Sequence, residues 1–432
     1  MNFSNINKIV ARQIFDSRGR PTIEVDVQLA DGSFGRASVP SGASTGTFEA
    51  HEKRDGEENF YDGLSVLSAV ENVNGEIAAE LAEKNALEQR EIDEFLCYLD
   101  GTEQLARLGA NAILGVSMAI CRASANFLKM PLYEWIAELS ETFEITMPLP
   151  MVNILSGGLH AGRRMDVQDF LFIPAHAGSM ADAVQQIAGV RSAANNVAAE
   201  KGFSILLADE GGLSPAFKTG SESLIFLMEI FEHAGLKPFE DALIAIDMAA
   251  STLETTQNDY YFPKENRLYS SAQIIELIKD WTKEFPVVSI EDALGEEDWA
   301  NWKILNEKLG NQIQIVGDDL LATNLNRLQI AIDEKAANAV LIKLNQNGTL
   351  TGTLDVIKKA KKNNLATIVS ARSGETEDNF IADLAVGAAA GQIKIGSFRN
   401  SERLSKYNQL LRIEQESTAP FYGIKSLAEN FW

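Results

Sequence analysis

At 432 residues the chain is longer than a typical single domain, and its 45% hydrophobic and 23% charged residues are typical of a globular protein. The formal net charge of −23 argues against binding to nucleic acid or to anionic membranes, because phosphates are bound by clustered Lys and Arg. We predict no bilayer-spanning segment and no secretion signal, and therefore expect a two-domain cytoplasmic protein.

The first part of the chain has the alternating pattern of short strands joined by tight turns. Helical periodicity then follows over residues 62–140. Strands followed by a block of helices predict a separate α+β domain, an antiparallel meander plus helices, over residues 1–140. The predicted strands cover residues 9–15, 22–29 and 33–40.

A Pro-rich segment at residues 147–153 begins the second predicted domain, residues 141–432. In this part, β-rich apolar runs ending in a charged residue recur about every 20 to 45 residues, with amphipathic sequence between them. This pattern predicts βα units that close into an eight-stranded barrel. Functional groups of such barrels lie at the carboxyl ends of the strands, here called the rim. The charged residues that end the runs are Asp247, Glu291, Asp318, Lys343, Arg372 and Lys394.

Three of these residues are carboxylates at successive predicted strand ends, namely Asp247, Glu291 and Asp318. Hard divalent cations such as Mg²⁺ prefer oxygen ligands. Only four histidines are present and no His/Cys ligand spacing occurs, which disfavours zinc. The alternative for any one carboxylate is that it caps the following helix. Three such carboxylates at successive strand ends favour a magnesium site over three separate helix caps.

Three further residues of the pattern are cations. Lys343 is flanked by apolar residues, and desolvation together with nearby cations would lower its pKa enough for it to act as a base. Its alternative is a buried salt bridge to a rim carboxylate. Arg372, followed by Ser373, and Lys394 suit a phosphate or carboxylate group.

Three loops add candidate residues. The segment Pro40–Gly46 is small, polar and glycine-hinged, as a closing lid would be, although an ordinary surface turn is the alternative. Glu210 precedes two glycines that let the backbone approach a ligand. His160 and the pair Gln168–Asp169 form a third cluster, and each of these residues could instead be a satisfied turn or core polar group.

A series of motifs runs along the chain in the order DSRG, VPSGASTG, LGANAILGVS, DEGG, VSIED, SGETED and NQLLRIE. By these motifs the chain resembles the enolase family over essentially its whole length. The resemblance implies an α+β lid domain followed by a barrel of atypical strand order. It also implies a Mg²⁺-dependent interconversion of 2-phosphoglycerate with phosphoenolpyruvate and water, two Mg²⁺ per active site, and a homodimer or ring of dimers.

The same resemblance implies roles for individual residues. Asp247, Glu291 and Asp318 would hold the first metal ion, and Ser41 of the lid would recruit the second. Lys343 would be the base that removes the proton next to the substrate carboxylate. A Lys base beside Mg²⁺ ions is the arrangement known for the enolase superfamily.

Glu210 would be the acid that assists departure of hydroxide. Other residues would bind a small anionic phosphorylated carboxylate, with His160 reaching the site when the lid closes and Asp169 facing the leaving hydroxyl. The substrate-binding residues implied by the resemblance are His160, Gln168, Asp169, Arg372, Ser373 and Lys394.

Two departures from the family pattern affect the pocket. The usual Ser-His-Arg is Ser370-Ala371-Arg372 here, and the usual Gln-Glu-Phe carries Asp169 in place of Glu. One alternative is therefore an enolase-like paralogue of specialised metabolism, such as phosphonate metabolism, acting on a bulkier analogue such as a carboxyphosphono derivative. A non-catalytic relative with a binding role is a third reading, which the intact Lys343 and Glu210 disfavour.

Overall fold

The computed structural model describes residues 3–43, 46–257 and 259–427. Within the first of these ranges, three strands form an antiparallel sheet in the order β1-β2-β3, which confirms the predicted meander. Ile23 and Val25 of the central strand are fully buried while Glu24 between them faces outward, as the two-residue period of a strand requires. The strands are β1 (Ile6–Phe15), β2 (Pro21–Leu29) and β3 (Phe34–Ser38).

Helices cover the inner face of this sheet. The longest of them packs against β2 and β3. Its approach to β3 depends on Gly35, because a Cβ there would lie 2.1 Å from the carbonyl oxygen of Ala119. The helices are α1 (Leu67–Asn72), α2 (Ala78–Leu81), α3 (Gln89–Asp100), α4 (Ala110–Leu128) and α5 (Leu132–Leu139), with a π-helical turn (Val73–Ile77) between α1 and α2.

The expectation that no apolar segment is long enough to cross a bilayer needs a correction. Helix α4 is long and apolar enough by length and composition, but 78% of its apolar window is buried inside the protein. Its residues Ile113 and Val116 are fully buried. Helix α4 is therefore the central helix of the N-terminal core, which explains why it is apolar on nearly all sides.

In the described part of the chain, eight strands close into a barrel in the order β4-β5-β6-β9-β10-β11-β12-β13. The N-terminal α+β fold followed by an eight-stranded barrel is the predicted fold class. A small hairpin, β7–β8, lies outside the barrel. The strands are β4 (Leu149–Ser156), β5 (Asp169–Pro174), β6 (Ala242–Asp247), β7 (Tyr260–Phe262), β8 (Arg267–Tyr269), β9 (Val287–Glu291), β10 (Gln314–Gly317), β11 (Ala339–Ile342), β12 (Ala366–Ser370) and β13 (Gly391–Lys394).

One barrel strand differs from the regular parallel pattern. Strand β5 runs antiparallel to both of its neighbours, β4 and β6, while the other neighbouring strands are parallel. The reason lies in the connections on either side of β5. A loop of residues 157–168 joins β4 to β5, and two successive helices, α6 and α7, join β5 to β6. The helices of this part are α6 (Met180–Glu200), α7 (Gly220–His233), α8 (Ser271–Glu284), α9 (Trp299–Leu309), α10 (Leu325–Glu334), α11 (Leu344–Asn347), α12 (Leu350–Lys362), α13 (Phe380–Gly387) and α14 (Ser401–Glu416).

A buried ion pair joins the N-terminal domain to the barrel. Arg122 of α4 donates from both terminal nitrogens to the carboxylate oxygens of Asp378, at 2.6 and 2.8 Å. Burial raises the pKa of Asp378, but the charge and hydrogen bonds of Arg122 outweigh it, so the net pKa is lowered. Removing one partner of such a pair leaves an uncompensated buried charge.

We expect Asp378→Asn to lower the free energy of unfolding by about 3–5 kcal/mol at neutral pH, because Arg122 then lacks its carboxylate. The pKa of Asp378 is lowered in the folded state, so its contribution is present above about pH 4 and is lost as the pH falls further. Denaturant unfolding of both proteins across this pH range measures the effect, and the difference between them should shrink in acid.

The control is a more exposed ion pair between the domains, Arg90 with Asp355, which is also bidentate. Asp355→Asn should cost at most about 1 kcal/mol, because solvent screens the pair. Equal losses for the two variants would contradict the conclusion that burial makes the pair of Arg122 and Asp378 the stronger of the two.

Candidate active site

The structure brings the six charged residues of the repeating pattern to one rim. Three of them are the last residues of their strands, and the others lie one or two residues beyond a strand end. Five of the six line one pocket, and the sixth, Glu291, contacts it through Lys394. The convergence predicted from the sequence is therefore observed.

Lys394 holds two of the carboxylates together. Its Nζ donates to Asp247 Oδ2 at 2.8 Å and to Glu291 Oε2 at 2.7 Å, and all three side chains are buried. Burial lowers the pKa of Lys394, but the two carboxylates raise it well above its ordinary value. Burial, together with the charge of Asp247, raises the pKa of Glu291. Lys394 thus compensates negative charge that burial would otherwise make very costly.

Lys343 has a different environment from the one predicted. Its Nζ donates to Asp318 Oδ2. Burial and the charge of Arg372 lower the pKa of Lys343, but attraction to Asp318 and Glu291 outweighs them, so the net pKa is raised. The expected lowering of this pKa is therefore wrong for this arrangement, and the salt bridge that the sequence left as an alternative is present.

The carboxylates of the rim form an all-oxygen donor set that fits a hard cation. Glu291 Oε1 is buried and accepts no hydrogen bond from any residue that the structure describes. Among the rim carboxylates, Asp318, Asp292 and Asp319 have oxygens within 4.8 Å of one another. The other two predicted metal ligands, Asp247 and Glu291, both accept hydrogen bonds from Lys394 instead. The residues present therefore suit Mg²⁺, with the unpaired oxygen of Glu291 as the most direct sign.

Two further carboxylates, Asp292 and Asp319, lie at the rim, and sequence reasoning missed both. Asp292 accepts from the backbone N–H groups of Asp318 and Asp319 at 2.9 and 2.8 Å, so it shapes the turn that presents them. Burial and the charge of Asp318 raise the pKa of Asp319 to about 7. Each follows a predicted ligand directly, as in Glu291-Asp292 and Asp318-Asp319, and this adjacency was the available signal.

His160 lies between two carboxylates. Its Nδ1 is 3.5 Å from Glu210 Oε1 and its Nε2 is 3.3 Å from Asp169 Oδ1, the latter without hydrogen-bonding alignment. Burial lowers the pKa of His160, but the charge of Asp169 and the contact with Glu210 raise it well above its ordinary value. Burial raises the pKa of Glu210, yet His160 lowers it overall. Burial also raises the pKa of Asp169, so within the pair of His160 and Glu210 these shifts favour the proton on His160.

Asp169 does not line the pocket wall with its neighbours. His160, Gln168 and Glu210 line it, whereas Asp169 lies behind His160 and accepts from Ser156 Oγ at 2.6 Å. Gln168 Nε2 donates to Asp247 Oδ2 at 3.1 Å. Asp169 therefore affects the pocket through the charge of His160, and not by facing the pocket itself.

The predicted anion-binding side is formed by Arg372 and Ser373, which line the pocket together with Ala371. The guanidinium of Arg372 donates to both carboxylate oxygens of Glu49, at 2.9 and 3.2 Å, and to Asn345 Oδ1 at 2.8 Å. Glu49 belongs to the N-terminal domain and is buried. Sequence reasoning missed Glu49 because nothing local in its sequence indicates that it reaches the barrel.

Ser41 is not brought into the pocket. Its hydroxyl donates to Glu52 Oε2 at 2.9 Å and accepts from Arg54 at 2.9 Å, while its backbone pairs with Gly374 of the barrel in both directions, at 2.8 and 2.9 Å. The segment is thus docked on the rim through its main chain. Ser44 and Thr45 of the predicted lid lie outside the described residues, and the metal-recruiting role of Ser41 stays a prediction.

Comparison with known families gives two matches along the chain. Residues 6–136 match the family described as the enolase N-terminal domain, and residues 144–430 match the enolase C-terminal TIM barrel domain. Together the matched residues span most of the chain. Both the small domain and the barrel that carries the pocket are therefore similar to enolase.

We expect Asp169→Asn to lower the pKa of His160, because the attraction that outweighs the effect of burial is then lost. NMR titration of the imidazole signals measures this pKa, and four histidines make the assignment tractable. Ser156→Ala is the control, since it removes only a neutral donor to Asp169. A His160 pKa that is the same in the native protein and in the Asp169→Asn variant would contradict the electrostatic account of the cluster.

Proposed function

The chain belongs to the enolase family, and from that premise we propose that it is a Mg²⁺-dependent hydro-lyase that converts 2-phosphoglycerate to phosphoenolpyruvate and water. One observation carries the proposal: a single buried pocket is lined by Lys343, Lys394 and Arg372 on one side and by His160 and Glu210 on another. A base, anion-binding groups and a proton donor are thus all within reach of one small ligand.

Lys343 is the proposed base for the proton next to the substrate carboxylate. Its attraction to Asp318 keeps it in the ammonium form, so this contact must loosen before Lys343 can accept a proton. Mg²⁺ held by Asp247, Glu291 and Asp318 would supply positive charge that stabilises the negative charge developing on the substrate carboxylate. The neighbouring ammonium of Lys394 supports the same carboxylate.

The proposed proton donor for the leaving hydroxide is the pair formed by His160 and Glu210. Despite burial, attraction to Asp169 and contact with Glu210 raise the pKa of His160 well above its ordinary value, and its Nδ1 lies 3.5 Å from Glu210 Oε1, which supports a protonated His160 beside Glu210. Glu210 can accept this proton and pass it to the departing oxygen, because both side chains line the pocket. On this view Glu210 acts as an acid only in combination with His160.

Arg372 and Ser373 are the proposed binders of the phosphate. The guanidinium of Arg372 has planar N–H donors that match a phosphoryl group, and Ser373, which lines the same pocket, carries a hydroxyl donor. Both terminal nitrogens of Arg372 pair with Glu49, so this contact must loosen before Arg372 can bind a phosphate. Lys394 lies on the neighbouring strand β13, so the substrate's carboxylate and phosphate can be held by different cations of the same rim.

We expect Lys343→Met to reduce turnover of 2-phosphoglycerate by at least about 10²-fold, because the base is lost while the apolar stem is kept. The direct measurement is exchange of the carbon-bound proton for deuterium in D₂O, followed by NMR with Mg²⁺ present. Native protein should catalyse the exchange and the variant should not.

Lys358→Met is the matched control, since Lys358 is exposed and pairs with Glu141 far from the rim. Its exchange rate should equal that of the native protein. Exchange that persists in Lys343→Met would show that another group removes the proton.

Ala371 supports a second candidate, an enolase-like enzyme that acts on a bulkier analogue such as a carboxyphosphono derivative. Ala371 lines the pocket beside Arg372, and its backbone N–H donates to Lys394 O at 2.9 Å, so this position adjoins two of the proposed anion-binding cations. A histidine at this position would take up more of the pocket than the methyl group of alanine does.

The variant Ala371→His distinguishes the two candidates. If 2-phosphoglycerate is the substrate of the native protein, it should turn over well and gain nothing from the substitution. If the substrate is bulkier, native turnover of 2-phosphoglycerate should be poor and Ala371→His should improve it, while activity on the carboxyphosphono compound falls. Steady-state kinetics with both compounds and Mg²⁺ gives the result.

A further inference from the structure

The short helix α11, directly after Lys343, is one of the places where the N-terminal domain contacts the rim. Ala50 N–H donates to the carbonyl of Gln346 at 2.8 Å, and the side chain of Asn345 donates to the carbonyl of Pro40 at 3.4 Å. Gln346 Nε2 also donates to Glu49 Oε1 at 3.3 Å. Gln346 is thus contacted by the N-terminal segment 46–50 through both its main chain and its side chain.

The same amide group contacts a predicted metal ligand. Gln346 Nε2 donates to Asp318 Oδ1 at 2.9 Å, while the other oxygen of Asp318 accepts from Lys343. A primary amide has two N–H donors, and here they serve two carboxylates from different domains. Gln346 is only 2% exposed, so water cannot easily replace either contact.

A third bond fixes which way the amide points. Thr323 Oγ1 donates to Gln346 Oε1 at 2.8 Å, and the same hydroxyl accepts from the backbone N–H of Lys343 at 2.9 Å. With its oxygen held in this way, Gln346 must direct its nitrogen toward Asp318 and Glu49. The orientation of the Asp318 carboxylate is therefore set by bonds from Lys343 and Gln346, which lie within one turn of chain.

We propose that Gln346 is a positioning residue that couples docking of the N-terminal segment 46–50 to the orientation of Asp318 for metal binding. The inference rests on the proposed function in one respect, that Asp318 is a Mg²⁺ ligand. Groups that orient a metal ligand typically affect metal affinity by about 10- to 100-fold when they are removed. A role limited to stabilising the fold would change the stability and leave the metal affinity of the folded protein unaltered.

A double-mutant cycle on the full-length protein tests the coupling. The variants are Glu49→Ala, Gln346→Met and the combination, and the measurement is the Mg²⁺ dissociation constant by titration calorimetry without substrate. We expect Gln346→Met to weaken binding about 10-fold or more. Glu49→Ala should weaken binding in the native background and have a much smaller effect when residue 346 is already Met.

The cycle removes effects that do not pass through Gln346. Loss of the Glu49 charge and of its pairing with Arg372 occurs in both backgrounds and cancels. Gln329→Met is the matched control, since Gln329 is exposed on α10 and bonds only Asp333 among its described contacts. Mg²⁺ affinity within twofold of native for Gln346→Met, or equal effects of Glu49→Ala in both backgrounds, would overturn the proposal.

A second variant keeps the test decisive if Gln346→Met does not fold. Thr323→Val keeps the shape of the side chain and touches no carboxylate, but it removes both the donor that holds the Gln346 oxygen and the acceptor for the Lys343 N–H. It is therefore also combined with Glu49→Ala. Weaker Mg²⁺ binding by Thr323→Val, with a much smaller further effect of Glu49→Ala than in the native background, supports the proposal, whereas unchanged binding or a full effect of Glu49→Ala overturns it. Native protein that binds Mg²⁺ but does not turn over 2-phosphoglycerate would refute the proposed function alone, because the cycle is measured without substrate.

Discussion

Compensation of buried charge is the constraint on which the rest of this structure depends. The carboxylates and cations of the rim are buried, and a buried charge without a partner is strongly unfavourable. Lys394 compensates the charges of Asp247 and Glu291 by pairing with both at the end of the barrel, and Lys343 compensates the charge of Asp318. The barrel can therefore close with these charged groups already paired, and under the proposed function the contact of Lys343 with Asp318 would have to loosen for catalysis.

The N-terminal domain completes this compensation. Glu49 neutralises Arg372 from outside the barrel, and the main chain at Ser41 pairs with Gly374 beside it. The small domain is thus more than a cover over the pocket, because one of its carboxylates is part of the charge balance. Movement of that domain would change the electrostatics of Arg372 as well as access to the pocket.

The two departures from the family pattern have different consequences in three dimensions. Ala371 lies on the pocket wall and changes its shape directly. Asp169 lies behind His160 and raises the pKa of the histidine, so it affects the charge of His160 rather than the space available to a ligand. Two similar sequence changes thus separate into one that alters the pocket wall and one that alters the charge of a pocket residue.

The sequence by itself determined the fold class and the charged residues at the ends of six barrel strands, because period-two and helical patterns are local and barrel strands place their carboxyl ends together. It did not determine the antiparallel β5, the pairing of Arg372 with Glu49, or the direction of the Lys343 pKa shift. These depend on distances between groups far apart in the chain. Ser41 illustrates the limit, since a matching motif identified the residue but only packing against Glu52 and Arg54 decided where its hydroxyl points.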